Sequence, residues 1–101
     1  MHVISRKALR VAAERHPAAS PGLDHWYRVA RKAQWGTIAD VRRDFAHADP
    51  VMVASGHQVT VFNVGGNSYR LIAAIHYNRS KVYVAMVLTH AEYSKETWKD
   101  R

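Results

Sequence analysis

The sequence predicts a small α+β domain: helices in its first half packed on an antiparallel sheet made by its second half, with a last helix at the C-terminus. Three observations carry this. Apolar residues recur at three- and four-residue spacing as far as Phe45, and they recur at alternate positions from Gln58 onward. The two patterns follow one another rather than interleaving, which favours segregated α+β over a βαβ succession. The length of 101 residues suits one core and is short for two, so residues 1–101 read as a single domain.

Taken in order, "HVIS" is short and β-prone, and Ser5 is the candidate cap of a helix "RKALRVAAERH". Ala8, Leu9, Ala12 and Ala13 form its apolar stripe, and His16-Pro17 stops it. Ser20 as N-cap with Pro21 at the first helical position opens a second helix. Its stripe is Leu23, Trp26, Tyr27 and Ala30, and Gly36 is its expected stop. Arg28, Arg31 and Lys32 fall off that stripe, giving a basic outer face that is either simply solvated or in contact with RNA. Thr37 precedes a short third stripe of Ile38, Val41 and Phe45. "AHADPVMVASG", with Asp49-Pro50 and Ser55-Gly56, reads as a long loop. Three antiparallel strands follow, "QVTVFNV", "SYRLIAAIHY" and "KVYVAMVLT", joined by turns at "GGN" and "NRS". The last helix runs from about Thr89 to Trp98.

Fifteen Lys and Arg against eight Asp and Glu give a formal charge of +7, which attracts polyanions, nucleic acid first among them. The basic residues come as short groups rather than one arm, so folding must assemble any basic surface. Cysteine is absent, which excludes disulfide scaffolds and thiolate chemistry and fits a reducing cytoplasm. No apolar run approaches the roughly 20 residues a bilayer span needs, so no membrane role is expected. The seven histidines show no ligand pairing, and "VGGN" lacks the context of a phosphate loop; neither a metal nor another cofactor is indicated.

Two places draw chemical attention. On "SYRLIAAIHY" the two-residue period puts Tyr69, Leu71, Ala73, Ile75 and Tyr77 on one face and Arg70, Ile72, Ala74 and His76 on the other. Arg70 then stands among aliphatic side chains, where it requires either an anion such as phosphate or one of the protein's own carboxylates. Thr89-His90-Ala91-Glu92 matches the capping box T-x-x-E, which sets His90 at the first helical position and Tyr93 three residues on along the same helix face. The unsatisfied N–H groups and positive dipole at that helix end favour an oxyanion or phosphate there. The dipole opposes protonation of His90, whereas Glu92 or a bound phosphate favours it.

The pair "VFNVGGNSYRLIA" and "VLTHAEY", together with "MHVISRKALRVAAERHP" and "WYRVARKAQW", resembles the HigB family of toxins from bacterial toxin–antitoxin systems, within the RelE-like group, and the likeness covers nearly the whole chain. The resemblance implies a ribosome-dependent, metal-independent mRNA endonuclease, an mRNA interferase, held inactive by a HigA-type helix-turn-helix antitoxin. DNA would be met only through the antitoxin complex. The implied chemistry is attack of a ribose 2′-hydroxyl on the adjacent phosphate, with Arg70 stabilising charge, His90 as general acid or base and Tyr93 orienting a base or phosphate. Arg28, Arg31, Lys32, Asn67, Arg79 and Lys81 are the expected RNA and ribosome contacts. Family members usually carry Lys or Arg where this chain has Ala85. An even-length turn at "NRS" would place Ala85 on the face of Arg70, so its missing cation implies an attenuated enzyme. The alternative is a non-cleaving module that occupies ribosome or RNA and blocks translation.

Overall fold

Alternation in the second half of the chain builds a sheet that carries the main core on one face and a smaller second core on the other. In the computed structural model, which describes residues 1–4 and 6–100, the elements are β1 (His2–Ile4), α1 (Arg6–Arg15), α2 (Ser20–Lys32), α3 (Ile38–Asp44), β2 (Asp49–Met52), β3 (Gln58–Val64), β4 (Tyr69–His76), β5 (Lys81–Thr89) and α4 (His90–Ser94). Short 3-10 turns lie at Pro17–Ala19, Tyr77–Arg79 and Thr97–Asp100. The five strands run in the order β1-β5-β4-β3-β2. The class is α+β, as expected, but the sheet is mixed: β1 pairs parallel to β5 while every other pairing is antiparallel. The expected role of Ser5 as a cap lies outside the described residues.

The apolar stripes all reach the core that they predicted. Leu9 and Ala12 of α1, Leu23, Trp26 and Ala30 of α2 and Val41 of α3 are buried against Phe62, Leu71, Ala73, Val82 and Val84 of the sheet. Trp26, Trp35 and Phe45 surround Phe62 with ring centroids 5.3–6.2 Å apart, geometries worth about 0.5–1.5 kcal/mol per pair beyond area burial. Gly22 lets α2 lie on the β3–β4 turn: a Cβ there would come within 2.7 Å of the Gly65 amide nitrogen. Gly65 and Gly66 in that turn have φ of +61° and +67°, conformations that a side chain disfavours.

Several boundaries differ from the sequence expectation. Ser20 is the first residue of α2 rather than its cap, because Pro17 starts a 3-10 turn that leads straight into the helix; Ala19 occupies the cap without a side-chain bond. The helix stops at Lys32, and Ala33 is extended, four residues before the turn expected at Gly36. Gly36 instead donates its N–H to the Asp40 carboxylate, which also accepts from Thr37 and so secures the start of α3. The expected long loop holds β2, an edge strand against β3; Pro50 is tolerated there because an edge strand needs bonds on one side only. The last helix is one turn rather than ten residues. The chain breaks at Glu96, whose φ is +61°, and Trp98 folds back so that its Nε1 donates to the Tyr93 carbonyl at 3.0 Å.

One irregularity governs the site. Next to the turn, His76, Ile75 and Ala74 face Lys81, Val82 and Tyr83, the register that the four intervening residues dictate. Ala73 faces Val84 but Ile72 faces Met86, leaving Ala85 as the extra residue of a β-bulge. From there the pairing shifts by one, and Leu88 rather than Val87 faces Arg70.

Candidate functional site

The end of the sheet where β4 begins and β5 finishes gathers the residues with chemistry. Arg70 is half-buried on the face away from α1 and α2. Its Nη1 donates to the carbonyls of Asn67 at 3.0 Å and Tyr69 at 3.1 Å, and its guanidinium carbon lies 5.4 Å from the Tyr93 ring centroid. Tyr93 in turn stacks on Trp98, with centroids 5.3 Å apart and planes 20° off parallel. Val53, Val61, Ile72 and Trp98 form a small second core beneath this stack, with Met86 and Leu88 at its margin. Among the described residues no carboxylate lies within ion-pair distance of Arg70; the pairs present are Arg28–Asp24, Arg43–Asp40 and Lys99–Glu96. Of the five guanidinium N–H groups two are engaged by backbone carbonyls, and the three on Nε and Nη2 make no bond to another described residue, leaving a planar fork suited to a phosphate.

His90 joins this group through the backbone. Its N–H donates to the Ser68 carbonyl at 3.0 Å, tying the start of α4 to the β3–β4 turn that also supplies the Asn67 carbonyl to Arg70. The ring is exposed, with Ser94 Oγ 3.4 Å from Nδ1. The capping box is formed as expected: Glu92 accepts from the Thr89 N–H at 2.9 Å, and Thr89 Oγ1 accepts from the Glu92 N–H at 3.2 Å. The Thr89 amide holds the Glu92 carboxyl below its ordinary pKa, and the positive charge at Arg15 and His16 adds to the effect. The anion reading of this helix start gains little from the geometry. α4 is five residues long, so its dipole is slight, and the N–H groups of His90 and Glu92 are already bonded.

The other expected contacts separate into three places. Asn67 belongs to the Arg70 end. Arg31, Lys32, Arg79 and Lys81 line a shared depression at the opposite end of the sheet, beside the N-terminal ammonium and without a carboxylate in its lining. Arg28 stands apart on α2, 3.6 Å from Asp24 in an exposed pair. Ala85, expected on the face of Arg70, is the unpaired residue of the bulge; it is exposed and lines, with Val84 and residues 86–88, a groove between β5 and α1.

Sequence reasoning missed Trp98 and His16. Trp98 supports Tyr93 only because the chain reverses at Glu96, which an apparently continuous helix pattern conceals. His16 packs on Tyr69 at the same sheet end, 5.4 Å between centroids, although the sequence offered it only as a helix terminus. No group of three or more potential metal ligands occurs among the described residues, and no described helix is long and apolar enough to cross a membrane.

Comparison with known proteins agrees with this architecture. Residues 19–96 match the model of the HigB toxin family, described as the RelE-like toxic component of a toxin–antitoxin system. The chain is 33% identical over 93 residues to the mRNA interferase toxin HigB of Escherichia coli K12, an alignment covering 92% of this chain and 88% of the relative. It is 31% identical over 97 residues to the mRNA interferase HigB of Escherichia coli O6:H1, covering 96% and 92% respectively. The family match over residues 19–96 and identities of 31–33% over nearly the full length of these relatives place the chain in the HigB family of RelE-like toxins from toxin–antitoxin systems.

Proposed function

We propose that this protein is a ribosome-dependent, metal-independent mRNA endonuclease that arrests translation in the cytoplasm, acting as one toxin domain over residues 1–101 and restrained by a HigA-type antitoxin. DNA is reached only through the antitoxin complex. The observation that carries the reading is Arg70, a half-buried guanidinium fixed by two carbonyls and an aromatic platform, with a phosphate-sized fork left open. The relatives' description as mRNA interferases supplies the substrate class.

The reaction assigned to the site is attack of a ribose 2′-oxygen on the adjacent phosphorus as the bond to the 5′-oxygen breaks. The products are a 2′,3′-cyclic phosphate and a 5′-hydroxyl. Arg70 stabilises the charge that builds on the phosphoryl oxygens, and its fixed geometry avoids reorganisation as the charge develops. His90, exposed beside the β3–β4 turn, removes the 2′ proton or protonates the departing 5′-oxygen. Tyr93 positions Arg70. The depression of Arg31, Lys32, Arg79 and Lys81 attaches the domain to ribosomal RNA, Asn67 contacts the message, and Arg28 adds a weaker contact from α2. Ala85 lies out of the β4–β5 register, so the catalytic reading is built on Arg70, His90 and Tyr93, and attenuation through the missing cation at Ala85 is judged by restoring that cation.

The test is primer extension on a translated message with wild type and His90→Ala. Cuts with the wild type that decline about 10²-fold or more in the variant are expected of a general acid or base. Binding to ribosomes without cuts would favour the translation-blocking module instead.

A further inference from the structure

The outer edge of β5 is only half covered. β1 pairs with Lys81, Val82 and Tyr83 and then ends, so beyond Val84 the edge has no strand partner among the described residues. The chain leaves the sheet there and returns as α1, which flanks the open edge. Between them runs a groove lined by five consecutive residues of β5, Val84 to Leu88. A strand face presents every second residue, so consecutive lining residues mean that the groove opens onto the edge itself. An uncovered apolar edge is a template for pairing with another chain.

The groove has a definite chemistry. Its floor is apolar, with Val11 of α1 standing 42% exposed above it, one of two large apolar side chains so exposed among the described residues. Its rim carries Lys7, Arg15 and His16 against a single carboxylate, Glu92, which the capping box already engages. We propose that this groove is the antitoxin's seat: an extended apolar segment of the antitoxin, flanked by acidic residues, adds to the edge of β5 beyond β1 and packs on Val11. The inference rests on the assignment of the chain as the toxin of a pair. Charge selects the occupant, since a basic rim on a chain of net charge +7 calls for an acidic partner rather than a second copy of itself. Strand addition supplies main-chain hydrogen bonds and the groove supplies side-chain specificity. Arg70 itself does not line the groove, but its cross-strand partner Leu88 does, so antitoxin seated there restrains the toxin from beside the cutting site.

The probe is the purified cognate antitoxin, titrated against wild type, Val11→Glu and Lys7→Glu, with hydrogen exchange read on the complex. Both variants sit on exposed positions of α1 and are expected to fold. Each should weaken antitoxin binding about tenfold or more, since it sets a negative charge against an acidic partner. Message cleavage by the free variants should match wild type, and antitoxin should protect the amides of residues 85–88. Unchanged affinity in both variants, or protection at Arg70 and Tyr93 with none at residues 85–88, overturns the groove assignment and leaves the nuclease reading intact. Protection at residues 85–88 in a protein that cuts no message upholds the groove and sinks the nuclease. Wild type that does not bind the antitoxin overturns the seat.

Discussion

Replacing Arg70 with alanine separates a catalytic cation from a structural one. The folded state stands to lose a contact with Tyr93, worth about 0.5–1 kcal/mol at a partly exposed site, and two hydrogen bonds to carbonyls that water can satisfy. No described carboxylate would be left unpaired, so the cost of about 3–5 kcal/mol that follows from breaking a buried ion pair does not apply. A loss of about 1 kcal/mol lowers the melting temperature of a domain this size by about 4–8 °C. The transition state loses far more, since removing one fixed donor of this kind costs about 10²–10³-fold in rate. Arg70→Ala should therefore melt within several degrees of wild type by circular dichroism while message cleavage falls by about that factor. Arg70→Lys should recover only part of it, because an ammonium lacks the planar fork. A variant that unfolds at room temperature, or one that cuts like wild type, refutes the reasoning.

Four further outcomes follow from the same geometry. Ala85→Arg should leave cleavage within about threefold of wild type, because Ala85 is out of register with Arg70 and borders the α1 groove; a rise of the 10²-fold order expected of an added charge stabiliser would place Ala85 in the site. Trp98→Ala should destabilise the protein by about 3–5 kcal/mol in urea melts and lower cleavage as well, since it empties the second core beneath Tyr93. Glu92 has a folded-state pKa below its unfolded value, so its capping stabilises fully above the unfolded value of about 4.3 and is lost as pH falls through the lower folded one; Glu92→Gln should remove this part of the acid dependence of the melting temperature. Ribosome binding should weaken steeply and log-linearly with salt, and neutralising Arg79 and Lys81 together should reduce the slope.

Much of the fold was legible because two periodicities are strong in this chain. Leu9, Leu23, Trp26 and Val41 each lie at the buried position that their spacing implies, and Leu71 and Ala73 alternate inward from Arg70 and Ile72 as the pleat requires. What the periodicities do not encode is an interruption. Ala85 fits an unbroken β pattern, and nothing in "VYVAMVL" marks it as the bulged residue, yet the bulge alone decides which side chains share a face with Arg70. Glu96 similarly sits in a run that reads as helix, and the break there, with Trp98 folded back onto Tyr93, shows only in the tertiary structure. Edge strands are hard to read for another reason. β2 contains Asp49 and Pro50, residues that mark loops in isolation, and it is a strand because β3 offers it a free edge. Of the site, Arg70, Tyr93 and the Thr89–Glu92 cap were each visible locally. Their convergence with Asn67 and Trp98, and the separation of Arg31, Lys32, Arg79 and Lys81 to the far end, depend on tertiary structure.

The central claim, that the Arg70 end of the sheet cuts RNA by 2′-hydroxyl attack without a metal, is tested most directly by the chemistry of the cut ends. Purified protein is given a translating message, any cleaved RNA is recovered, and the new 3′ and 5′ termini are determined, in parallel with Arg70→Ala and His90→Ala and with a chelator added once the message is engaged. The account predicts 2′,3′-cyclic phosphate and 5′-hydroxyl ends from the wild type, unaffected by the chelator and lost together in both variants. Ends bearing a 3′-hydroxyl and a 5′-phosphate, or cuts that persist undiminished in both variants, would contradict it.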